Sequence, residues 1–298
     1  YKQKGSRKAI SIGMKFIIPK LALLKNSLES LQEKEQANSE NFKKTYLKIY
    51  CWRGGIRSKS FVWLAKKFGL NAVRLEGGYK SYRKWVLEQF EKEWGIHLIG
   101  GKTGTGKTKL LNSLAKEGIS TIDLEGLANH RGSSYGAMGL KIQPSCEHYE
   151  NLIANSLNKF NKGLSTSIWL EDESPNLGRC RIPNGLINQM KVAPVIEILK
   201  SKEERVEELI RVYSQNTQEE LEAATLRITK RLGPQRTKIA LEAIRKKDWE
   251  IACKEILDYY DRSYEHQLKK ITHKKTIDLS GMNNEDAARK LIKEGLIV

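Results

Sequence analysis

Apolar positions along the chain form two blocks, in each of which short strand-like runs alternate with helix-like repeats. In the first block, residues 46–50 alternate apolar and polar side chains, residues 58–68 carry apolar side chains at helical spacing, and residues 72–75 form another short apolar run. The pattern predicts a strand, a helix and a second strand. Because such crossovers are almost always right-handed, we expect one right-handed α/β unit.

The second block begins with a short apolar run at residues 96–100 and continues with the same alternation. It predicts helices over 107–115 and 146–158, and further strands over 121–124, 167–170 and 192–199. This order of elements is typical of an α/β domain in which helices flank a parallel sheet.

The remaining segments are mainly helical in pattern. Residues 9–32 have apolar positions at roughly helical spacing, whereas residues 33–44 are polar without periodicity and predict an exposed loop. Residues 85–94 predict a helix that leads into the second block, and beyond Ser201 the pattern is almost wholly helical and charged. We therefore expect three regions, which are 1–92, 93–200 and a helical region 201–298 that continues the second.

Charge and length narrow the class of partner. The 298 residues include 53 Lys and Arg against 35 Asp and Glu, a formal net charge of +18. The chain is long enough for two hydrophobic cores, since single domains usually have about 100–200 residues. A strongly positive surface attracts polyanions, and nucleic acid is the first candidate. A basic surface without such a partner is the alternative.

The four cysteines, Cys51, Cys146, Cys180 and Cys253, are widely spaced and form no Cys-x-x-Cys pair. This spacing argues against a zinc site and against a disulfide framework, and it fits a reducing cytoplasm. The longest apolar runs are far shorter than the ~18–20 residues that cross a membrane. We expect a cytoplasmic protein with no membrane partner.

A phosphate-binding loop follows the strand predicted at 96–100. Its sequence, Gly101-Lys102-Thr103-Gly104-Thr105-Gly106-Lys107-Thr108, matches Gly-x-x-x-x-Gly-Lys-Thr between a strand and a helix. We expect backbone amides around Gly101, Gly104 and Gly106 and the Lys107 ammonium to bind phosphate, with Thr108 as a ligand for Mg²⁺ if one is bound. The loop does not identify the reaction, because ATP and other diphosphate esters would bind in the same way.

Acidic residues follow the strand predicted at 167–170. Glu171 and Asp172 stand where the acidic partner of a phosphate-binding loop is expected. Solvated acids in a turn are the alternative.

A cysteine lies in a second loop of anion-binding character. Cys51 stands where a strand ends and a helix begins, where amide N–H groups and the helix dipole favour an anion. Arg53 and Arg57 add positive charge, so we expect a thiolate with a lowered pKa, and Gly54 and Gly55 let the backbone close around the sulfur. The alternative is a buried structural cysteine.

The segments 50–58 and 76–83, Tyr-Cys-Trp-Arg-Gly-Gly-Ile-Arg-Ser and Glu-Gly-Gly-Tyr-Lys-Ser-Tyr-Arg, carry a resemblance. They resemble the rhodanese superfamily and, more specifically, the tRNA 2-selenouridine synthase family, and stretches 123–134, 171–174 and 259–261 agree. The resemblance implies that 1–92 is a rhodanese-like domain, N-terminally truncated at Tyr1, and that 93–200 is a P-loop domain with parallel-sheet, NTPase-like fold.

The resemblance also implies a reaction. Members of this family replace sulfur by selenium in 2-thiouridine at the tRNA wobble position, with selenophosphate as donor. They also transfer a geranyl group from geranyl diphosphate to that sulfur, and the S-geranyl nucleoside is an intermediate. The implied partners are such a tRNA and an enzyme that supplies selenophosphate.

Site residues follow from the same resemblance. Cys51 matches the catalytic cysteine, and the rest of its loop would bind selenophosphate or another anion; it consists of Trp52, Arg53, Gly54, Gly55, Ile56, Arg57 and Ser58. The loop with Lys107 would hold the diphosphate of the prenyl donor. His130 and Arg131 lie in a Gly- and Ser-rich segment that suits a substrate loop, in which His130 would bind phosphate or position the thiocarbonyl; an ordinary connection is the alternative.

Other residues could contact RNA. Tyr79, Tyr82 and Arg83 would stack on or near a splayed base, or the tyrosines would pack in a core. Basic residues after Ser201 would follow the tRNA backbone or form a solvated face; they are Arg227, Lys230, Arg231 and Arg236. Two rival functions stay open, which are an ATPase or kinase with a regulatory rhodanese module and a non-catalytic tRNA-binding protein.

Overall fold

The computed structural model describes residues 5–37, 46–160, 167–268 and 274–297. The chain divides into two compact units, Tyr1–Trp85 and Val86–Val298. In the described part of the chain, no helix combines the length and the apolar character that crossing a membrane requires.

The first unit begins with two helices, α1 at Gly5–Ile17 and α2 at Leu21–Ala37. A short 3₁₀ turn, Ile18–Lys20, separates them. It contains Pro19, whose missing amide N–H interrupts the helical pattern of 9–32. The loop predicted at 33–44 is wrong for 33–37, which belong to α2, and its remainder lies outside the described residues.

A small α/β unit follows, with strand β1 at Leu47–Ile49, helix α3 at Ile56–Lys67 and strand β2 at Ala72–Arg74. The two strands pair in parallel, as the strand, helix and strand pattern predicts. Leu47, Ala65 and Ala72 form its buried core. The assignment of this unit to the rhodanese superfamily stays a prediction.

Helix α4, Gly78–Glu91, begins in the first unit and ends in the second. Its first residue lies seven positions before the start of the helix predicted at 85–94, and its last residue lies three positions before the predicted end. The sequence does not show where this helix begins, because the adjacent Gly77 and Gly78 predict a turn. Both glycines have positive φ in the structure.

The second unit opens with the elements that surround the phosphate-binding loop. These are strand β3 at Gly95–Gly100, helix α5 at Lys107–Lys116, strand β4 at Thr121–Ile122, helix α6 at Leu124–Ala128, helix α7 at Cys146–Lys159 and strand β5 at Ser167–Glu171. A small hairpin of β6 at Asn176–Leu177 and β7 at Cys180–Arg181, helix α8 at Asn184–Met190 and strand β8 at Val195–Leu199 complete this part. The strand predicted at 121–124 is shorter than expected, because Asp123 caps α6 with its side chain.

The C-terminal part is mainly helical, with α9 at Lys202–Tyr213, α10 at Gln218–Arg227, α11 at Thr229–Leu232, α12 at Pro234–Arg245, α13 at Trp249–Leu268 and α14 at Asn284–Lys293. The expectation of helices alone beyond Ser201 is wrong at one place, because strand β9 lies at Lys274–Asp278. Its side chains are exposed apart from the half-buried Ile277. An edge strand of this kind lacks the apolar pattern that predicts strands.

Five parallel strands form the sheet of the second unit, in the order β4-β5-β3-β8-β9. The α/β fold with a parallel sheet is therefore confirmed. Strand β3 is central, and its Ile99 lies in one buried cluster with Leu110 and Leu111 of α5 and Leu291 of α14. The core thus fixes both ends of the loop that joins β3 to α5.

Candidate functional site

The sulfur of Cys51 lies in a ring of hydrogen-bond donors. The backbone N–H of Gly55 donates to Sγ at 3.2 Å, and the hydroxyl oxygen of Ser58 lies 3.3 Å from it. An ionised sulfur carries no proton, so Ser58 is then the donor. Ser58 is only 2 % exposed, whereas the Cys51 side chain keeps access to solvent.

These donors make Cys51 an acidic thiol. The side chain of Ser58, followed by the backbone amides of Ser58, Gly55 and Arg53, lowers the pKa of Cys51 to about 6, against a smaller opposing effect of burial. Arg53 acts here through its amide, so hydrogen bonds rather than arginine charges are the main cause. At neutral pH the sulfur is mostly thiolate, the nucleophilic form.

Glycines allow the Cys51 loop to pack against the turn before α4. Gly54 has φ of 62°, and a Cβ there would lie 2.8 Å from the amide nitrogen of Gly78. The amide of Tyr79 donates to the carbonyl oxygen of Cys51 at 3.0 Å. Arg74 donates from Nη1 to the carbonyl oxygen of Gly54 at 2.7 Å, so this side chain also holds the loop.

An aromatic row extends from the same loop, and it consists of Tyr50, Trp52, Tyr79, Tyr82 and Trp85. Ring centroids of Trp52 and Tyr79 are 5.6 Å apart, and those of Tyr79 and Tyr82 are 5.9 Å apart. Trp52 is 55 % exposed and Tyr79 is half-buried. The predicted tyrosines therefore flank the thiolate loop, where an aromatic surface can stack on an unpaired base.

In the second unit, the P-loop has the conformation that its glycines predict. Gly104 and Gly106 have φ of 84° and 80°, and a Cβ at Gly104 would lie 2.7 Å from the carbonyl oxygen of Arg205. Lys107 donates from Nζ to the carbonyl oxygen of Gly101 at 3.0 Å. The ammonium thus points back over the loop, as phosphate binding requires.

Arg205 of α9 supports the P-loop from outside. It donates from Nε to the carbonyl oxygen of Thr103 at 2.8 Å, and from Nη1 to Oδ2 of Asp261 at 3.0 Å, while Nη2 contacts Oδ1 of the same carboxylate. Tyr264 accepts a hydrogen bond from the amide of Gly101 through its hydroxyl oxygen at 2.5 Å. Helices α9 and α13 therefore position the loop.

Three carboxylates meet beside the P-loop. One oxygen each of Glu125, Glu171 and Glu173 lies within 4.8 Å of the others, and Thr108 donates from Oγ1 to Oε2 of Glu125 at 3.5 Å. Glu171 is fully buried, and neither of its carboxylate oxygens has a hydrogen-bond partner among the described residues. Unpartnered buried acceptors of this kind fit a cation.

Burial and mutual repulsion change the acidity of this cluster. Burial, with the charges of Glu173 and Glu171, raises the pKa of Glu125 to about 9, and burial with the charge of Glu173 raises the pKa of Glu171 to about 8. The charge of Lys107 opposes both shifts. Burial also raises the pKa of Asp172. Without a bound cation, the cluster therefore retains protons at neutral pH.

The P-loop and the carboxylates line one cavity of about 650 Å³. Its walls include Lys107, Thr108, Glu171 and Asp172, together with Arg131. The cavity therefore combines the P-loop, a cluster of carboxylates and a cationic side chain, and it is large enough for a diphosphate ester.

Comparison with known proteins identifies the family. A family model described as the tRNA 2-selenouridine synthase AAA domain matches residues 95–293. The chain belongs to the tRNA 2-selenouridine synthase family. Proteins named tRNA 2-selenouridine synthase from Hydrogenovibrio crunogenus and Sulfurovum sp. are 33 % and 34 % identical to it. The first alignment covers 99 % of this chain and 85 % of that protein, and the second covers 74 % and 68 %.

The chain is also similar to a third curated protein and to one solved structure. A protein of the same name from Marinobacter nauticus is 30 % identical over 90 % of this chain and 78 % of its own length. A solved structure of an uncharacterized protein from Eubacterium ventriosum is matched over 68 % of this chain and 98 % of its own, at 16 % identity and a TM-score of 0.30.

The structure places the two residues of the candidate substrate loop differently. Arg131 lines the cavity of this selenouridine synthase family member and donates from Nη1 to the carbonyl oxygen of Met138 at 2.8 Å. His130 is 8 % exposed and lies apart from the cavity lining, and its Nδ1 has no partner among the described residues. Burial lowers the pKa of His130, so its ring is neutral at pH 7.

The basic residues predicted to follow RNA have different roles in the fold. Arg227 donates from Nη2 to the carbonyl oxygen of Ser134 at 2.7 Å, and Arg236 pairs with Asp258 at 3.0 Å. Arg231 is exposed and lines the cavity, and Lys230 is exposed.

Sequence reasoning gave no role to several residues that the structure brings to the P-loop. They are Glu125, Glu173, Arg205, Asp261 and Tyr264. Glu125, Glu173 and Asp261 lie within the stretches that carry the family resemblance, so the resemblance marks them as candidate site residues. Arg205 and Tyr264 lie in ordinary helical patterns, and only the folded chain reveals their contacts.

Proposed function

We propose that this chain is a tRNA 2-selenouridine synthase that replaces the sulfur of 2-thiouridine at the tRNA wobble position by selenium. The observation that carries the proposal is the hydrogen-bonded thiolate of Cys51, in a chain whose other unit carries a phosphate-binding cavity. Selenophosphate is the proposed selenium donor, and geranyl diphosphate is the proposed prenyl donor. The protein would act in the cytoplasm, and an enzyme that supplies selenophosphate would be its partner.

In the first stage, the sulfur of the tRNA base attacks C1 of geranyl diphosphate. The carbon–oxygen bond breaks, the diphosphate leaves with the electron pair, and the base releases its N3 proton to solvent to give the neutral S-geranyl product. Amides of the P-loop and the Lys107 ammonium stabilise the charge that develops on the departing oxygens. Arg131, which lines the same cavity, adds positive charge.

In the second stage, Sγ of Cys51 attacks C2 of the base, and the geranyl thiolate leaves with the electron pair of the carbon–sulfur bond. The selenium of selenophosphate then attacks C2 and displaces the Cys51 thiolate. Water cleaves the phosphorus–selenium bond, which releases phosphate, leaves selenium on C2 and returns a proton to N3 of the base. Alkylation makes the sulfur a better leaving group, so the first stage prepares the second. The Gly55 amide and the Ser58 hydroxyl stabilise negative charge on Sγ of Cys51, so they would keep this sulfur a thiolate before it attacks C2 and would stabilise it again when it leaves.

Mg²⁺ fits the carboxylate cluster. The ligands would be oxygens of Glu125, Glu171 and Glu173 with the hydroxyl of Thr108, and the unpartnered oxygens of buried Glu171 support this assignment. The bound ion would supply positive charge at the diphosphate. The cluster's own contribution is to hold protons that a cation would displace, since the pKa values of Glu125 and Glu171 are raised.

The tRNA would be attracted by the net charge of +18 and oriented by stacking on the aromatic row. Exposed Trp52 and half-buried Tyr79 are the proposed contacts for an unpaired base. Base stacking of this kind contributes about 1–3 kcal/mol per base.

The decisive experiment incubates the protein with thiolated tRNA, geranyl diphosphate and selenophosphate, and then identifies the nucleosides by mass spectrometry. We expect 2-selenouridine without added ATP, which separates the proposal from an ATPase or kinase. Cys51→Ala should abolish selenation and leave some geranylation, with exposed Cys146→Ala as the matched thiol control. Equal selenouridine from the Cys51 variant and the wild type would refute the assigned role.

Lys107→Ala should lower geranyl transfer. Lys116→Ala is the matched control, because it removes an exposed lysine from the other end of the same helix. Unchanged prenyl transfer in the Lys107 variant would show that the P-loop does not bind the diphosphate of the prenyl donor.

A further inference from the structure

A second, smaller cavity adjoins the phosphate cavity in the second unit. It has a volume of about 60 Å³ and its walls are almost entirely apolar, and we call it the apolar pocket. Helix α13 supplies one wall through Trp249, Ala252, Cys253 and Ile256, and α9, α10, α12 and the loop after α6 supply the rest.

The apolar pocket shares part of its wall with the phosphate cavity. Five residues line both, and they are Thr103, Ser133, Leu209, Tyr213 and Tyr260. Thr103 belongs to the P-loop itself, and its carbonyl oxygen is held by Arg205 at 2.8 Å. A ligand that places its phosphates at Lys107 therefore has the apolar pocket as a direct neighbour, with Thr103 at the boundary.

The chemistry of the walls selects an apolar occupant. The hydroxyl of Tyr135 pairs with Oγ1 of Thr225 at 2.8 Å, and the hydroxyl oxygen of Tyr260 accepts from the amide of Ser134 at 3.4 Å. Burial raises the pKa of Cys253 to about 11, so this thiol is neutral and a poor nucleophile toward an alkylating ligand. Adenine, which carries several donors and acceptors, would leave them unpaired here.

We propose that the apolar pocket binds the distal end of the hydrocarbon chain of an allylic diphosphate whose diphosphate lies in the P-loop. This inference rests on the proposed prenyl transfer, and it adds the site that selects the length of the donor's hydrocarbon chain. The pocket volume equals about two waters' share of liquid water, at roughly 30 Å³ each. It therefore has room for a few terminal carbons, and the proximal carbons lie in the larger cavity.

The test compares dimethylallyl, geranyl and farnesyl diphosphates as donors to thiolated tRNA, with kcat/KM measured for each by nucleoside mass spectrometry. We expect the wild type to favour geranyl over dimethylallyl by at least about tenfold, because only the longer chain reaches the pocket. Ala252→Leu fills the pocket at a position that is 3 % exposed. It should lower kcat/KM for geranyl by at least about tenfold and leave dimethylallyl within about twofold.

Two other variants keep the test decisive. Ala223→Leu, an exposed position on α10, should leave all three donors unchanged. Ile256→Ala enlarges the pocket and should shift preference toward farnesyl diphosphate, and it decides the matter if Ala252→Leu fails to fold. Inhibition by inorganic pyrophosphate should be the same in wild type and variants, because the P-loop is untouched.

The possible outcomes distinguish an error in the role of the apolar pocket from an error in the proposed prenyl transfer. If Ala252→Leu and Ile256→Ala change all donors equally or not at all while transfer continues, the apolar pocket does not bind the chain and the proposed function stands. If the wild type transfers no allylic group from any donor, prenyl transfer itself is wrong, and the inference about the pocket is wrong with it.

Discussion

Arg205 donates a hydrogen bond from Nε to the carbonyl oxygen of Thr103 at 2.8 Å, although the two residues are 102 positions apart in the chain. Arg205 is 4 % exposed, and its guanidinium is paired through two nitrogens with Asp261. The middle of the P-loop is therefore held by an ion pair between buried Arg205 of α9 and half-buried Asp261 of α13. The conformation of the phosphate-binding backbone depends on this pair as well as on the glycines of the loop.

Asp261→Asn is expected to destabilise the second unit and to weaken phosphate binding. The substitution leaves the buried Arg205 charge without its charged partner, and a loss of this kind costs about 3–5 kcal/mol when both groups are fully buried, so the half-buried Asp261 sets that range as the upper limit. Glu222→Gln is the control, because its two-nitrogen pair with Arg245 is exposed on the arginine side, where water screens the attraction. Urea unfolding and the Kd for pyrophosphate measure the two effects. Equal losses in both variants would contradict the supporting role of Arg205.

Ser58→Ala is expected to raise the pKa of Cys51 from about 6 toward that of an ordinary thiol. The Ser58 side chain is the largest cause of the lowered pKa, and alanine removes its hydrogen bond. The rate of iodoacetamide alkylation of the Cys51 peptide, followed by mass spectrometry against pH, reports this pKa. Ser60→Ala, an exposed position on the same helix, should leave the profile unchanged. An inflection that stays near pH 6 in the Ser58 variant would assign the thiolate to the backbone amides alone.

Much of both sites could be predicted from the sequence, because the chemistry is carried by short contiguous segments. The P-loop needs its glycines and Lys107 within eight residues, and the Cys51 loop needs Gly55 and Ser58 within eight. A local motif therefore contains both the backbone geometry and the reactive group. The same locality explains why the strand, helix and strand order around each loop was visible.

Contacts between distant segments could not be predicted in this way. Arg205 and Asp261 are 56 positions apart on helices whose charged patterns suit any solvated face. Strand β9 pairs with β8 at the sheet edge through its backbone, and its exposed side chains carry no strand pattern. The raised pKa values of Glu125 and Glu171 depend on burial and on their neighbours, which only the folded chain defines.

Glu171→Gln is expected to change how stability depends on pH in the metal-free protein. The native state keeps the Glu171 proton up to about pH 8, whereas the unfolded state releases it near 4.5, so the native state binds more protons between these values. The contribution of Glu171 to the free energy of unfolding therefore falls as pH rises from about 5 to 8, by up to about 1.4 kcal/mol per pH unit. Glutamine cannot ionise, so the variant should lose the share of this slope that Glu171 contributes.

Denaturant titrations at several pH values, in the presence of a chelator, measure the slope. Exposed Glu285→Gln is the control and should keep the wild-type slope. Mg²⁺ added at pH 8 should stabilise the wild type more than Glu171→Gln, because a cation replaces the protons of the carboxylate cluster. The same pH dependence of stability in the wild type and in Glu171→Gln would show that Glu171 is not protonated in the native state.

Gly78→Ala is expected to open the Cys51 loop and so to raise the pKa of the thiol. Gly78 has φ of 65°, and a Cβ there would overlap the carbonyl oxygen of Cys51 and crowd the amide of Gly54. Gly69→Ala is the matched control, since Gly69 has φ of 79° but nothing lies within 4 Å of its added Cβ. Both variants pay the cost of positive φ, about 1 kcal/mol, and only Gly78→Ala must also displace the loop. Alkylation of Cys51 at pH 7 should therefore slow in Gly78→Ala and stay at the wild-type rate in Gly69→Ala. Wild-type alkylation in both variants would mean that the donors around Sγ hold their positions without the close approach of Gly78.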